Sequence, residues 1–202
     1  MRIALTGLGV LGLLALCPAR PASAAVCGGV EFPQTIEVQG VPAALNGLGI
    51  RKATFLKVHV YVAALYLPRG ERPSGGAGAT DARAIIASPG PMELVLHFVR
   101  GVGSRDIRNA FEEGFATQGG GRVPVALASR VALLNSWVQD MRSGESMTFV
   151  RIPGRGVELD LDGRMVGVVT GEDFAQALFA IWLGDHPPNP ELKAGLLGGS
   201  CN

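Results

Sequence analysis

Arg51 is the residue whose type and position most suggest chemistry. It lies in "GLGIRKATFLKVHVYVAALYLP", residues 47–68, at the start of a long apolar run that is typical of a strand. Burying a guanidinium without a partner costs several kcal/mol. Arg51 therefore lies at the surface, pairs with an internal carboxylate, or binds an anionic ligand, which a guanidinium holds through two hydrogen bonds. Its place beside an aliphatic strand suits a ligand with a negative head and an apolar body.

Other common signatures of catalysis or metal binding are missing from the sequence. It contains no G-x-S-x-G, H-E-x-x-H, C-x-x-C or Walker motif. The three histidines, His59, His97 and His186, are scattered along the chain, and Gly47-Leu-Gly49 lacks the third glycine of a dinucleotide fingerprint and predicts a bend. We therefore predict neither a metal nor a cofactor.

The first residues are typical of a secretory signal peptide. Arg2 precedes an apolar run that is too short to span a membrane, and an A-x-A-like site ends at Ala24. We predict a signal peptide over residues 1–24, one domain over residues 25–202, and a periplasmic or secreted location. A membrane anchor is the alternative for this segment.

The net charge and the hydropathy of the mature chain limit the classes of partner that it can bind. Removing Arg2 and Arg20 from 18 basic residues leaves 16 against 17 acidic ones, a net charge of −1. A near-neutral balance without a basic cluster argues against nucleic acid. No second apolar run approaches the roughly 20 residues of a membrane helix, so we predict no membrane span in the mature chain.

Two cysteines remain after the predicted cleavage, Cys27 near the new start and Cys201 beside the end. An exported protein with two cysteines favours a disulfide, which here would join the two ends of the chain. Free or intermolecular thiols are the alternative.

Hydrophobic periodicity predicts an α+β fold. Alternation over residues 54–66 indicates a strand, and residues 92–100, 146–152, 157–161 and 165–169 indicate others, the last two joined by a turn at Asp162-Gly163. Helical spacing predicts helices over residues 103–118 and 125–141, a third from about residue 170, and a short one to residue 197. This order predicts an antiparallel sheet with helices packed on one face.

Two stretches resemble the chalcone isomerase-like family in its bacterial exported branch. The first is "LNGLGIRKATFLKVHVYVAALYLP", and the second is the tail "FAQALFAIWLGDHPPNPELKAGLLG". The resemblance spans roughly residues 30–198. It implies an open-faced β-sandwich, in which a large antiparallel sheet carries a helical layer on one face with a ligand cleft between them. Arg51 matches the family arginine in its "G-x-G-x-R" context.

The family has a catalytic and a binding branch. Its isomerases close a chalcone to a flavanone, with an arginine favouring the phenoxide and Tyr, Thr and Asn holding water and ketone. Here Tyr61 lies near the position where the enzymes have threonine. The helix that should carry Tyr and Asn seven residues apart offers instead Ser104 and Phe111, Arg105 and Glu112, or Asp106 and Glu113. Related plant proteins bind fatty acids through the equivalent arginine and a tyrosine.

We therefore predict a non-catalytic protein that binds a fatty acid or similar small apolar carboxylate. Arg51 is the anchor and Tyr61 a second donor, and four residues are candidate lining: Val58, Val60, Phe111 and Phe115. The first alternative is an isomerase or lyase in which Arg51 lowers the substrate pKa and Tyr61 or His59 transfers the proton. The second is a cell-envelope interaction module in which Arg51 is structural.

A distance limits the Arg51–Tyr61 clamp. On one extended strand, ten residues separate the two by roughly 33 Å, too far to share one carboxylate. A strand over residues 51–67 would also be unusually long. The clamp therefore requires a chain reversal near residues 52–57, which no Gly, Pro, Asn or Asp marks.

Overall fold

A computed structural model of the 202-residue chain describes residues 24–53, 58–69 and 81–201. Residues 1–23 of the predicted signal peptide, and residues 54–57 of the strand predicted over residues 54–66, lie outside the described residues. Within the described residues, no helix is both long enough and apolar enough to cross a membrane.

The described residues form nine strands and five helices. The strands are β1 (Ala24–Cys27), β2 (Val30–Pro33), β3 (Thr35–Val38), β4 (Val41–Ala53), β5 (Val58–Pro68), β6 (Met92–Phe98), β7 (Ser146–Ile152), β8 (Gly156–Leu161) and β9 (Arg164–Thr170). The helices are α1 (Ala82–Ala87), α2 (Ser104–Gln118), α3 (Val125–Trp137), α4 (Glu172–Leu183) and α5 (Pro190–Leu196).

Strands β3 to β9 form one antiparallel sheet in sequence order, and β1 pairs with β2 in a separate hairpin. Asp162 and Gly163 both have positive φ, at 52° and 78°, as a two-residue turn between β8 and β9 requires. The predicted hairpin and the predicted α+β architecture are confirmed.

The main core lies between one face of the sheet and the helical layer. Strand residues such as Leu65, Leu94 and Phe149 pack there against helix residues such as Phe115 and Trp182. In α2 the buried residues Ile107, Phe111 and Phe115 recur every four positions, which is one stripe of a helix.

A second, smaller core covers part of the other sheet face. Val62 and Ala64 of β5 pack there with Phe32 and Cys27 of the β1–β2 hairpin. Strand β5 is therefore buried on both faces.

Two predictions were wrong, one about the end of a helix and one about a bend. The helix predicted over residues 125–141 ends at Trp137, because Met141 exchanges two backbone hydrogen bonds with Val102 at 2.8 and 2.9 Å. The bend predicted at Gly47-Leu-Gly49 is instead strand β4, with an irregular register between Leu45 and Gly47.

Candidate functional site

The glycines before Arg51 explain the spacing of the motif. Gly47, Gly49 and Arg51 alternate along β4 and so share the sheet face that carries the helices. A Cβ on Gly47 would collide with the carbonyl of Gly195, and a Cβ on Gly49 would lie 2.5 Å from the Leu192 carbonyl oxygen. The two glycines therefore let α5 lie directly on β4, which brings the start of α5 next to Arg51.

Neutral oxygens hold the Arg51 guanidinium. Nη1 donates to the Asn189 Oδ1 at 2.9 Å, to the Lys52 carbonyl at 2.5 Å and to the Pro188 carbonyl at 3.4 Å. Within residues 24–53, 58–69 and 81–201, no carboxylate lies within salt-bridge distance of Arg51. The side chain is partly buried and held in place, and no described acidic residue neutralises its charge.

Arg151 is a fully buried arginine of the same chain, and it has an acidic partner. Its side chain is 0% exposed, forms an ion pair with Glu172, and donates to the carbonyls of Ile86 at 3.1 Å and Ser88 at 2.5 Å. A cation with a structural role is thus paired with an acid, as desolvation requires. Arg51 differs from Arg151 because it has no acidic partner among the described residues.

Tyr61 lies directly opposite Arg51. Strands β4 and β5 are antiparallel, Ala53 pairs with Val58, and Arg51 pairs with Tyr61. Directly opposed residues have Cβ atoms about 5 Å apart and point to the same face. The reversal that the Arg51–Tyr61 clamp requires therefore exists, and the 33 Å separation of a single strand does not apply.

The Tyr61 hydroxyl is restricted to one role. Its Oη accepts a hydrogen bond from Trp182 Nε1 at 2.9 Å, so the hydroxyl proton remains available to donate. Burial raises the pKa of Tyr61 to about 12, although the Trp182 bond and the Arg51 charge act in the opposite direction. Tyr61 is therefore a neutral hydrogen-bond donor at physiological pH.

Arg51 and Tyr61 share a cavity of about 610 Å³ between the sheet and α2. The register shifts between Arg51 and Lys52, so Val60 is an extra residue on β5 and lines the cavity together with its neighbour Tyr61. The inner wall is apolar and includes Leu96, Phe98, Phe111, Met147 and Ile181. The volume is in the range of small-molecule sites.

Apart from Arg51 and Tyr61, the charged and titratable residues that line this cavity in the described part of the chain lie at its rim. Arg100, Asp106, Glu113 and His186 line the cavity but are exposed to solvent. Within the described residues, no three His, Cys, Asp or Glu side chains converge into a metal site. The arrangement can hold an anionic head at Arg51 and Tyr61 and cover an apolar body.

The structure brings together four of the predicted binding residues at this cavity, Arg51, Tyr61, Val60 and Phe111. It places the others elsewhere. Val58 pairs with Ala53 at the end of the hairpin, His59 is exposed outside the cavity lining, and Phe115 packs against Phe174 with ring centroids 5.5 Å apart. Phe115 is one helical turn beyond Phe111 and faces the closed core.

Sequence reasoning missed two residues that contact the predicted anchors. These residues are Trp182, which donates to Tyr61, and Asn189, which accepts from Arg51. The available signal for Asn189 was its type, because an amide beside a helix start favours local hydrogen bonds. No local signal links either residue to a strand more than 100 positions earlier.

The comparisons with known proteins agree with this architecture. A family model described as chalcone isomerase-like matches residues 24–198. The crystal structure of a fatty-acid binding protein from Arabidopsis thaliana superposes with a TM-score of 0.67 at 20% sequence identity, covering 87% of this chain and 96% of that chain. This similarity shows a shared fold. Comparison with curated protein sequences yields no match.

Proposed function

Because the chain belongs to the chalcone isomerase-like family, we propose that it binds a fatty acid or a similar carboxylate with an apolar tail. The observation that carries this proposal is an arginine with no acidic partner among the described residues, held by neutral oxygens at the edge of an apolar cavity. A carboxylate is the group that such an arginine holds best, through charge-assisted hydrogen bonds. The fatty-acid binding protein of the same fold supports this choice of ligand.

The head of the ligand lies between Arg51 and Tyr61. Arg51 supplies charge and Tyr61 supplies its hydroxyl proton, since Trp182 already occupies the acceptor side of that oxygen. Both donors are present before the ligand arrives, which reduces the entropic cost of binding.

The tail of the ligand runs across the strands. The lining residues pass from Arg51 on β4 through Tyr61 and Phe98 to Met147 on β7. Three strand spacings of about 4.8 Å give an apolar path of roughly 14 Å. Covering this path from water provides the apolar part of the affinity.

We propose no catalytic step for this cavity. An isomerase would have to stabilise developing charge with several donors and exchange a proton. Tyr61, with a pKa of about 12, keeps its proton, and His59 lies outside the cavity lining. The sequence also lacks the partner residues that the resemblance to the isomerases would require.

We also propose that the protein acts outside the cytoplasm. A disulfide between Cys27 and Cys201 supports this location, because disulfides persist in oxidising compartments. Fractionation of cells that express the full chain, with thiol labelling of each fraction, tests it. A reduced, full-length protein in the cytoplasm would contradict export.

The ligand proposal is tested by calorimetry with delipidated protein and dodecanoate. We expect Arg51→Ala to weaken binding about 10- to 100-fold, the value of a charge-assisted hydrogen bond, and Tyr61→Phe to weaken it about tenfold or less. Arg155→Ala removes the same charge from an exposed turn between β7 and β8 and serves as the matched control.

Two outcomes would overturn the proposal. One is wild-type protein that does not bind dodecanoate, and the other is an Arg51→Ala variant that binds it as well as Arg155→Ala does. Conversion of a chalcone by the wild-type protein, lost in Arg51→Ala, would overturn the non-catalytic part and support the isomerase alternative.

A further inference from the structure

Asn189 contacts Arg51 more closely than any acidic residue in the part of the chain that the structure describes. We propose that Asn189 is a positioning residue that sets the charge selectivity of the cavity. As a neutral amide it holds the Arg51 guanidinium in place without neutralising it, so that only an anionic ligand head completes the site. This inference rests on the proposed function and concerns why the ligand must be charged.

One oxygen of Asn189 fixes both Arg51 and the strand that carries it. Oδ1 accepts from Arg51 Nη1 at 2.9 Å and from the Lys52 backbone N–H at 3.0 Å. The guanidinium is therefore tied to the backbone of the next residue through a shared acceptor. Rotation of the Arg51 side chain away from the cavity would break this arrangement.

Asn189 does not cap α5 with its side chain, although it stands at the N-cap position of that helix. An asparagine cap stabilises a helix by about 1 kcal/mol. The side chain reaches across to β4 instead, which indicates that its contact with Arg51 and Lys52 replaces the cap.

The remaining donors of Arg51 stay available. All three hydrogen bonds of its side chain to described residues start from Nη1. Nη2 and Nε therefore have no acceptor among the described residues. A guanidinium fixed through one nitrogen, with two other nitrogens open, is ready to hold a carboxylate with two oxygens.

The side chain at position 189 decides whether that carboxylate comes from the ligand. Aspartate has nearly the same shape as asparagine and would keep an acceptor at Oδ1, but it adds a negative charge next to Arg51. It would form an ion pair with the guanidinium and compete with an anionic ligand. Asparagine holds the Arg51 guanidinium in the same position without adding a negative charge. The negative charge that pairs with Arg51 must then come from the ligand.

The test compares Asn189→Asp with wild type for dodecanoate and for its uncharged methyl ester. We expect Asn189→Asp to weaken dodecanoate binding about tenfold or more, whereas ester binding changes less than about twofold. Gln139→Glu adds the same charge at an exposed position that does not line the cavity, and it is the matched control. A purely structural role for Asn189 would weaken both ligands equally.

A double-mutant cycle tests the same inference without any ligand. Asn189→Asp is expected to raise Tm at pH 7 in the wild-type background and not in an Arg51→Gln background, because only the former forms the new ion pair.

The inference is overturned if the cycle shows no coupling, or if Asn189→Asp leaves dodecanoate affinity unchanged or weakens the ester equally. Failure of the proposed function has a different signature, since wild-type protein would then not bind dodecanoate while the cycle still shows coupling.

Discussion

At the scale of single residues, two arginines of this protein have opposite electrostatic environments. Arg151 is fully buried and paired with Glu172, whereas Arg51 is partly buried and held by an amide and two carbonyls. Both guanidinium groups donate hydrogen bonds, but among the described residues only Arg151 has an acidic partner, so the charge of Arg51 remains for a ligand. The sequence identified Arg51 as unusual because of its place beside an apolar strand, and it did not single out Arg151.

Glu93 provides a prediction at the same scale. It lies on β6, next to Tyr66 on β5, and faces away from the helical layer. Burial, together with the nearby charges of Asp160 and Glu158, raises the pKa of Glu93 from 4.5 to about 7. The folded state therefore favours the protonated carboxyl, and this contribution to stability is lost as pH rises from about 4.5 through 7.

We expect Glu93→Gln to be more stable than wild type at pH 8 by on the order of 2 kcal/mol, and nearly equal to it at pH 4. Urea unfolding at both pH values measures the difference. An equal difference at pH 4 and pH 8 would show that Glu93 does not titrate in this range.

At the scale of secondary-structure elements, the contact between β4 and α5 positions the site. Gly47 and Gly49 allow the approach of α5, and Asn189 at its start contacts Arg51. The sequence predicted the short helix α5 but not β4, whose glycines were interpreted as a bend. A glycine pattern alone does not distinguish a bend from a close approach, because the second chain segment is about 150 residues away.

We expect Gly47→Ala to destabilise the protein by about 3 kcal/mol, because the new Cβ would collide with backbone atoms of Gly195 and Leu196 that cannot move independently. Gly101→Ala is the control, since its Cβ would have only one neighbour within 4 Å, at 3.8 Å. Urea unfolding of both variants measures the effect. Equal stability of the two variants would mean that α5 can shift away from β4 at little cost.

At the scale of the whole molecule, the disulfide joins the two ends of the described chain. Cys27 ends β1 and Cys201 follows α5, with Cα atoms 5.9 Å apart and a sequence separation of 174. Cys27 is buried in the smaller core, on the sheet face opposite the large helical layer, and the partly buried Cys201 packs against that core. The bond therefore ties the β1–β2 hairpin to the segment that carries Asn189 and α5.

Replacing both cysteines by serine is expected to lower the free energy of unfolding by about 5 kcal/mol, the chain-entropy value for a loop of this length. Urea unfolding of the double variant, compared with oxidised and reduced wild type, measures it. A loss that appears in the double variant but not on reduction of wild type would locate the effect in the packing of Cys27 rather than in the bond.

The sequence by itself determined the class of fold and the polar turn at Asp162-Gly163, indicated the pair of cysteines, and singled out Arg51 as the candidate anchor. Each of these depends on periodicity, residue type or position in the chain, which are local properties. Only the tertiary structure decided that Arg51 faces Tyr61 and that Trp182 donates to the Tyr61 hydroxyl. It also decided that the described acceptors of the Arg51 guanidinium are an amide and two carbonyls rather than an acid. These facts join residues up to 138 positions apart, and packing brings them together.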